Sequence, residues 1–200
     1  MSESLLIAYA VFVSVMYLTP GPNNIMALSS GLTYGMRPTL PLIAGITVGC
    51  AVMVAIAGVG LGTIFIAYPL LQTILKYAGA AYLVYLAAQI ALSEPVAPGK
   101  DGRGRPITFW GAALFQWVNV KGWVMVIGTV TAYAGIARFP WNIAIQVALC
   151  LVLGIVAPSV WALSGASLRS LLTSKRTVQI FNIVMALLLL ASLYPVFMDA

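Results

Sequence analysis

From Leu5 to about Gly35 the chain is apolar over a membrane-crossing length, and it is cut once, by Thr19-Pro20-Gly21-Pro22-Asn23-Asn24. Two prolines inside such a run cannot be neutral. Pro20 offers no N–H to the carbonyl of Met16, and Pro22 offers none to that of Leu18. Each ring also drives the residue before it, Thr19 and Gly21, out of the α region. The helix is therefore expected to break here. In lipid an unpaired carbonyl is costly, so a break persists only where protein or a water-filled cavity covers it. Broken helices near the bilayer midplane are one way in which secondary transporters build a substrate site.

The rest of the chain fits a membrane protein. Only 7% of its 200 residues are charged and 62% are hydrophobic, against about 25% charged in a soluble domain. A spanning helix needs about 20 apolar residues, and six are predicted: 5–33, broken at the motif, then 39–67, 70–92, 107–135, 141–167 and 178–197. The whole chain reads as one all-α transmembrane domain of two halves, 1–92 and 107–200, joined by a polar Pro- and Gly-rich linker over 93–106. The net charge of +6 does not point to nucleic acid, because the basic residues sit in short loops. Arg37, Lys100, Arg103, Arg105, Arg169, Lys175 and Arg176 fall on one side, and Arg138 alone on the other. The positive-inside rule puts the seven in the cytoplasm and both termini outside. No cleavable signal peptide is visible.

Three spans on each side of the linker give the halves opposite orientations, so related halves would be inverted repeats. Phe12 to Gly35 and Phe109 to Gly135 both run apolar, break at an Asn-containing stretch and end in a Tyr and a Gly. The second stretch is Asn119-Val120-Lys121-Gly122.

Lys121 is the most informative single residue. It is predicted near the middle of the fourth span, where an ionisable group is expensive and faces a cavity or a partner. Trp117, four residues earlier, would share its face and allow a cation–π contact. A structural lysine holding a kink carbonyl is the plain alternative. No acid lies within any span: Glu3, Glu94, Asp101 and Asp199 are all in tails or the linker. Lys121 is then the one candidate proton carrier. Past Pro22 the helix restarts with Asn23 as the expected N-cap. The N–H groups of Asn24, Ile25 and Met26 would form a positive end suited to a carboxylate. The released carbonyls of Met16 and Leu18 would suit an ammonium. Such a split site fits a zwitterionic amino acid, and a bare proline kink without a ligand is the alternative.

Other features have packing readings. Gly31/Gly35, Gly45/Gly49 and Gly58/Gly62 favour close helix contacts within the chain or in a homodimer. Pro158 should release the carbonyl of Gly154 and kink the fifth span. Tyr68, Phe139 and Trp141 read as an interfacial belt. Cys50 and Cys150 allow a second functional reading, a membrane electron carrier, although buried cysteines mostly pack. A hydrolase or transferase has little to work with, since the chain has no histidine and no buried acid. No cofactor and no metal site are expected.

Thr19-Pro20-Gly21-Pro22-Asn23 in the first span with Asn119-x-Lys121 in the fourth resembles the lysine exporter / homoserine–threonine efflux (LysE/RhtB) family. The resemblance extends to Tyr77-Ala78-Gly79-Ala80-Ala81-Tyr82-Leu83 and Trp161-Ala162-Leu163-Ser164-Gly165. Most members carry Asn-Pro-Lys where this chain has Val120 in the middle, so Gly122 alone is expected to loosen the second break. Phe115-Gln116 and Val118-Asn119-Val120-Lys121 are similar to the cysteine / O-acetylserine exporter branch. The resemblance implies export of small neutral amino acids or derivatives from bacterial cytoplasm, driven by the proton motive force. It marks Thr19, Pro20, Gly21, Pro22, Asn23, Asn119 and Lys121 as motif positions, to which the helix-restart reading adds Asn24.

Overall fold

A computed structural model describes residues 2–61, 67–92, 106–171, 174–192 and 194. Among these every regular element is helical: α1 (Glu3–Leu18), α2 (Pro22–Tyr34), α3 (Met36–Ile56), α4 (Pro69–Leu92), α5 (Phe109–Val118), α6 (Val120–Ala132), α7 (Trp141–Leu171) and α8 (Lys175–Ala191). The chain is an all-α membrane protein. Three helices are long and apolar enough to cross a bilayer, within Met36–Gly60, Thr73–Leu92 and Trp141–Leu168. Two bent pairs also qualify, α1 with α2 at 51° and α5 with α6 at 68°. Of the sixth predicted span, 178–197, the described part lies mostly in α8, of 17 residues; its end, at 193 and 195–197, lies outside the described residues.

Both predicted breaks exist, but other boundaries differ. The second span does not run evenly to residue 67. After Ile56 the helix widens into a π turn over Ala57–Leu61, where Gly60 takes φ 124°, a left-handed value that glycine tolerates. The predicted Gly58/Gly62 pair and the linker over 93–105 lie wholly or partly outside the described residues. The fifth span continues through Pro158 to Leu171. The carbonyl that this proline releases, Gly154 O, accepts the Thr47 hydroxyl of α3 at 2.6 Å, so a neighbouring helix supplies the missing donor.

Two buried clusters flank the breaks. One includes Tyr9, Val13, Met53, Val126 and Cys150, from α1, α3, α6 and α7. The other includes Met26, Leu42, Leu86, Phe115 and Leu189, from α2, α3, α4, α5 and α8. Helix α2 is buried without interruption from Asn24 to Thr33, so the restarted half of the first span is the centre of the molecule. Close backbone contact makes this possible. A Cβ on Gly31 would lie 2.1 Å from Ala162 O, and one on Gly165 would lie 2.0 Å from Leu28 O, so α2 and α7 need glycine on both sides. Gly45 and Gly49 serve α3 against α5 in the same way. Gly35 does not extend the α2 stripe; at φ 85° it is the turn between α2 and α3. Ile7, Val11 and Val15 on α1 and Val152 and Val156 on α7 face outward and exposed, as a lipid-facing surface requires. Tyr68, Phe139 and Trp141 are likewise exposed.

Candidate functional site

The two breaks meet. At the first, α1 ends in Thr19 at ψ 144°, Gly21 is fully extended at φ 177° and ψ 178°, and Pro22 is the first residue of α2. The N-cap is therefore Gly21 and not Asn23, which lies inside the first turn. Proline suits that opening position because its missing N–H has no partner there in any case. Ile25 N bonds to Gly21 O at 3.0 Å, so the free first-turn amides are those of Asn23 and Asn24, not those of Ile25 and Met26.

The carbonyls freed by the break are not bare, contrary to expectation. Met16 O accepts the Thr19 hydroxyl at 3.2 Å, and Leu18 O accepts Trp161 Nε1 at 3.3 Å. The Asn24 amide nitrogen donates to Tyr17 O at 2.7 Å and to Thr19 O at 2.9 Å. The Lys121 ammonium donates to Thr19 O at 3.0 Å, to Thr19 Oγ1 at 2.9 Å and to Pro20 O at 3.2 Å. Every carbonyl from Met16 to Pro20 thus has a side-chain donor in place of a helical amide. This is the complete accounting that buried backbone demands.

Lys121 is not in mid-helix. It is the second residue of α6, at the positive end of that helix dipole, where a cation is disfavoured unless it has acceptors. The Thr19 and Pro20 oxygens are those acceptors. The break between Trp117 and Lys121 removes the i, i+4 relation, and the Trp117 ring instead meets Trp123 edge-on, centroids 6.2 Å apart. Gly21 fits against the lysine: a Cβ there would lie 2.9 Å from Nζ and 3.0 Å from Cδ. At φ 177° any residue could adopt the backbone, so glycine is needed here for space.

The second break needs no proline and does not use Gly122. Asn119 adopts φ −81° and ψ 101° between α5 and α6, while Gly122 is helical and would take a Cβ with nothing nearer than 3.5 Å. The bend is stabilised by polar side chains. Asn119 Nδ2 donates to Gln116 Oε1 at 3.2 Å, and Trp123 Nε1 donates to Trp117 O at 2.8 Å. Gln116 is 0% exposed and joins the two breaks. Its amide exchanges two hydrogen bonds with that of Asn23, at 2.9 and 3.0 Å, and its oxygen also accepts the Cys50 thiol at 3.3 Å. In the sequence Gln116 stands out as a polar residue of the fourth span beside Asn119, with no partner assigned, and Trp161 only as a resemblance position. Their signal was a lone amide three residues before Asn119, and an indole whose N–H needs an acceptor wherever it is buried.

Among the spaces that adjoin this junction, two share its central residues. A small cavity of about 30 Å³, room for about two waters, lies among Met16, Tyr17, Asn24, Cys50, Met125 and Pro158. A cleft of about 410 Å³ lies among Pro20, Lys76, Gly79, Leu83, Val124 and Ser192, within the range of small-ligand sites. Gly21, Pro22, Asn119 and Lys121 line both. They form the partition between them. Thr19, Pro20, Gly21, Pro22, Asn23, Asn24, Asn119 and Lys121 are therefore one contiguous set. Cys50 and Cys150 are both free and buried. Gln116 Oε1 accepts the Cys50 thiol at 3.3 Å, the Tyr17 hydroxyl lies 2.8 Å from Cys150 Sγ, and the same hydroxyl also neighbours Cys50.

Residues 14–192 match the family model described as LysE type translocator. A protein of Escherichia coli K12 named cysteine/O-acetylserine efflux protein is 34% identical over 195 residues, covering 94% of this chain and 95% of that protein. A protein of the same name from Escherichia coli O139:H28 is 34% identical over 196 residues, covering 95% and 96%. One from Shigella sonnei is 34% identical over 195 residues, covering 94% and 95%. No solved structure matches the chain.

Proposed function

The chain belongs to the LysE type translocator family, and from that premise we propose that it exports small neutral amino acids or their derivatives across the bacterial inner membrane, driven by the proton motive force. The substrate class is that of cysteine and O-acetylserine, the compounds named for its relatives, with threonine and homoserine next. One observation carries this reading: the Lys121 ammonium lies within 3.2 Å of three oxygens of the first break, on the wall between two spaces.

A zwitterion is the solute that can replace this contact without leaving a charge unpaired. Its carboxylate takes the Lys121 ammonium, assisted by the Asn23 and Asn24 amides at the start of α2. Its own ammonium takes the Thr19 and Pro20 oxygens that the lysine vacates. Cation–oxygen contacts are thus conserved while the partition parts. The substrate does not grip bare peptide dipoles; it displaces a side chain that already holds them. A second ammonium, as in lysine, finds no acid among the residues that line the two spaces and is disfavoured. Proton coupling is assigned to Lys121, which bonds across the first break and lines both spaces, whereas Lys76 lines only the larger cleft.

The two bent pairs, α1–α2 and α5–α6, are read as equivalent broken spans of two inverted three-helix repeats, with α8 as the sixth span and both termini periplasmic. Placing the Lys100–Arg105 linker outside the cell by accessibility mapping would reject that orientation. Efflux from loaded vesicles, with cysteine, O-acetylserine, threonine, homoserine and lysine in parallel, tests the function. Export of the neutral compounds with lysine slowest is expected; preferential export of lysine rejects the proposed site chemistry.

A further inference from the structure

A second group of buried polar side chains lies away from the breaks, where the end of α6 meets the first turns of α7. Gln146 and Asn142 stand one turn apart on α7 and are 0% and 8% exposed. Both turn their NH₂ groups onto backbone carbonyls. Gln146 Nε2 donates to Thr129 O and Tyr133 O, each at 3.2 Å, and Asn142 Nδ2 donates to Ala134 O at 3.2 Å. A carbonyl can only accept, so this orientation of each amide is fixed. Their oxygens, Gln146 Oε1 and Asn142 Oδ1, are left buried with no partner among the described residues, and Thr129 Oγ1 has only the neighbouring Tyr9 hydroxyl, outside ordinary hydrogen-bond geometry. Buried orphans are uncommon in folded proteins, and two amide oxygens with a poorly satisfied hydroxyl at one helix end call for a ligand. That end is the negative pole of α6, with carbonyls that the helix itself leaves unpaired. Tyr9 covers the group: its hydroxyl donates to Gln146 O at 3.0 Å and its ring lies 5.2 Å from that of Tyr133. Glu3 and Arg138, at the same end of the molecule, are exposed.

We propose that Asn142 Oδ1, Gln146 Oε1 and Thr129 Oγ1 bind a monovalent cation at the C-terminal end of α6. Neutral oxygens at a negative helix pole suit a single positive charge. A divalent ion would call for carboxylates, and none of the three side chains is one. The cation is either an alkali metal ion or an ammonium group such as the transported amino acid carries. The site stands independently of the export reading, and its failure leaves that reading intact. It was not evident from the sequence because amides and a hydroxyl, unlike clustered acids or histidines, give no spacing signal.

The test is thermal unfolding of the purified full chain in detergent, in sodium, potassium or ammonium chloride against N-methylglucamine chloride at equal ionic strength. Binding gives a saturable rise in Tm of about 3 °C or more. Gln146→Leu should abolish it. Gln146→Glu, which adds a charge to the same ligand set, should lower the half-saturating concentration at least tenfold, and it carries the test if the leucine variant does not fold. A rise with sodium or potassium identifies an inorganic ion; a rise confined to ammonium chloride identifies an ammonium group such as the transported amino acid carries. Equal Tm in all four chlorides, for wild type and Gln146→Glu alike, overturns the proposal.

Discussion

Asn23 and Gln116, 93 residues apart, exchange both amide hydrogen bonds at 2.9 and 3.0 Å, and this pair joins the two broken helices into one junction. Leucine at Gln116 takes both of these bonds from the half-buried Asn23 amide, at a cost of about 1–3 kcal/mol; leucine at Asn23 should cost less, because Gln116 keeps its bonds to Cys50, Asn119 and Ala112 O. Replacing both should cost less than the sum of the single changes. Chemical or thermal unfolding of the two single variants and the double variant measures this; strict additivity would deny that the pair acts as a unit.

Lys121→Met removes three charge-assisted contacts to Thr19 and Pro20. Efflux should fall about 10- to 100-fold, in keeping with the 1.5–3 kcal/mol of a hydrogen bond to a charged group, and its dependence on an imposed pH gradient should vanish. Substrate binding should survive in part. Lys121→Arg should not restore transport, because a flat guanidinium fork differs from the ammonium point charge for which Gly21 leaves room. Gradient-dependent efflux in the methionine variant would remove Lys121 from the coupling step.

Gly21→Ala separates space from backbone. The extended φ of 177° permits alanine, so the protein should fold with little change in Tm. The new Cβ would lie 2.9 Å from Lys121 Nζ, and the lysine must move. Transport should then drop as it does for Lys121→Met, and the double variant should be no worse than either single change. Normal efflux in Gly21→Ala would count against the tether.

Gly122→Ala and Gly165→Ala should behave oppositely. Gly122 is helical with no contact nearer than 3.5 Å, whereas a Cβ on Gly165 would meet Leu28 O at 2.0 Å. The first change should be tolerated, even stabilising by up to about 1 kcal/mol from helix propensity. The second should force α2 from α7 and lower the yield of folded protein. Size-exclusion profiles and Tm of both variants decide the matter.

Changing Cys50 and Cys150 together to serine should leave export in place, since a serine hydroxyl can keep the hydrogen bonds that the thiols make to Gln116 and Tyr17. Loss of efflux with retention of fold would revive a role for the thiols beyond packing.

The position of the first break was legible in the sequence because proline acts locally: it withholds an N–H and restricts its predecessor wherever it stands. The second break was visible only as a polar interruption. Its cause was misread as Gly122, because the bend at Asn119 depends on Gln116 and on the Trp123 indole. The N-cap was misassigned to Asn23 for a similar reason, since that amide finds a better partner on α5 than on its own helix.

The sequence by itself determined that this chain is membrane-embedded and helical, and that its first span must break near Pro20. Apolar length and proline chemistry are properties of short segments, and no distant partner can cancel them. Only the tertiary structure decided which groups fill the gaps. The donors to Met16, Tyr17, Leu18, Thr19 and Pro20 include Trp161 and Lys121, more than 100 residues away. A side chain's hydrogen-bond capacity can be read from its type, but its partner depends on which helices pack within 3 Å of it.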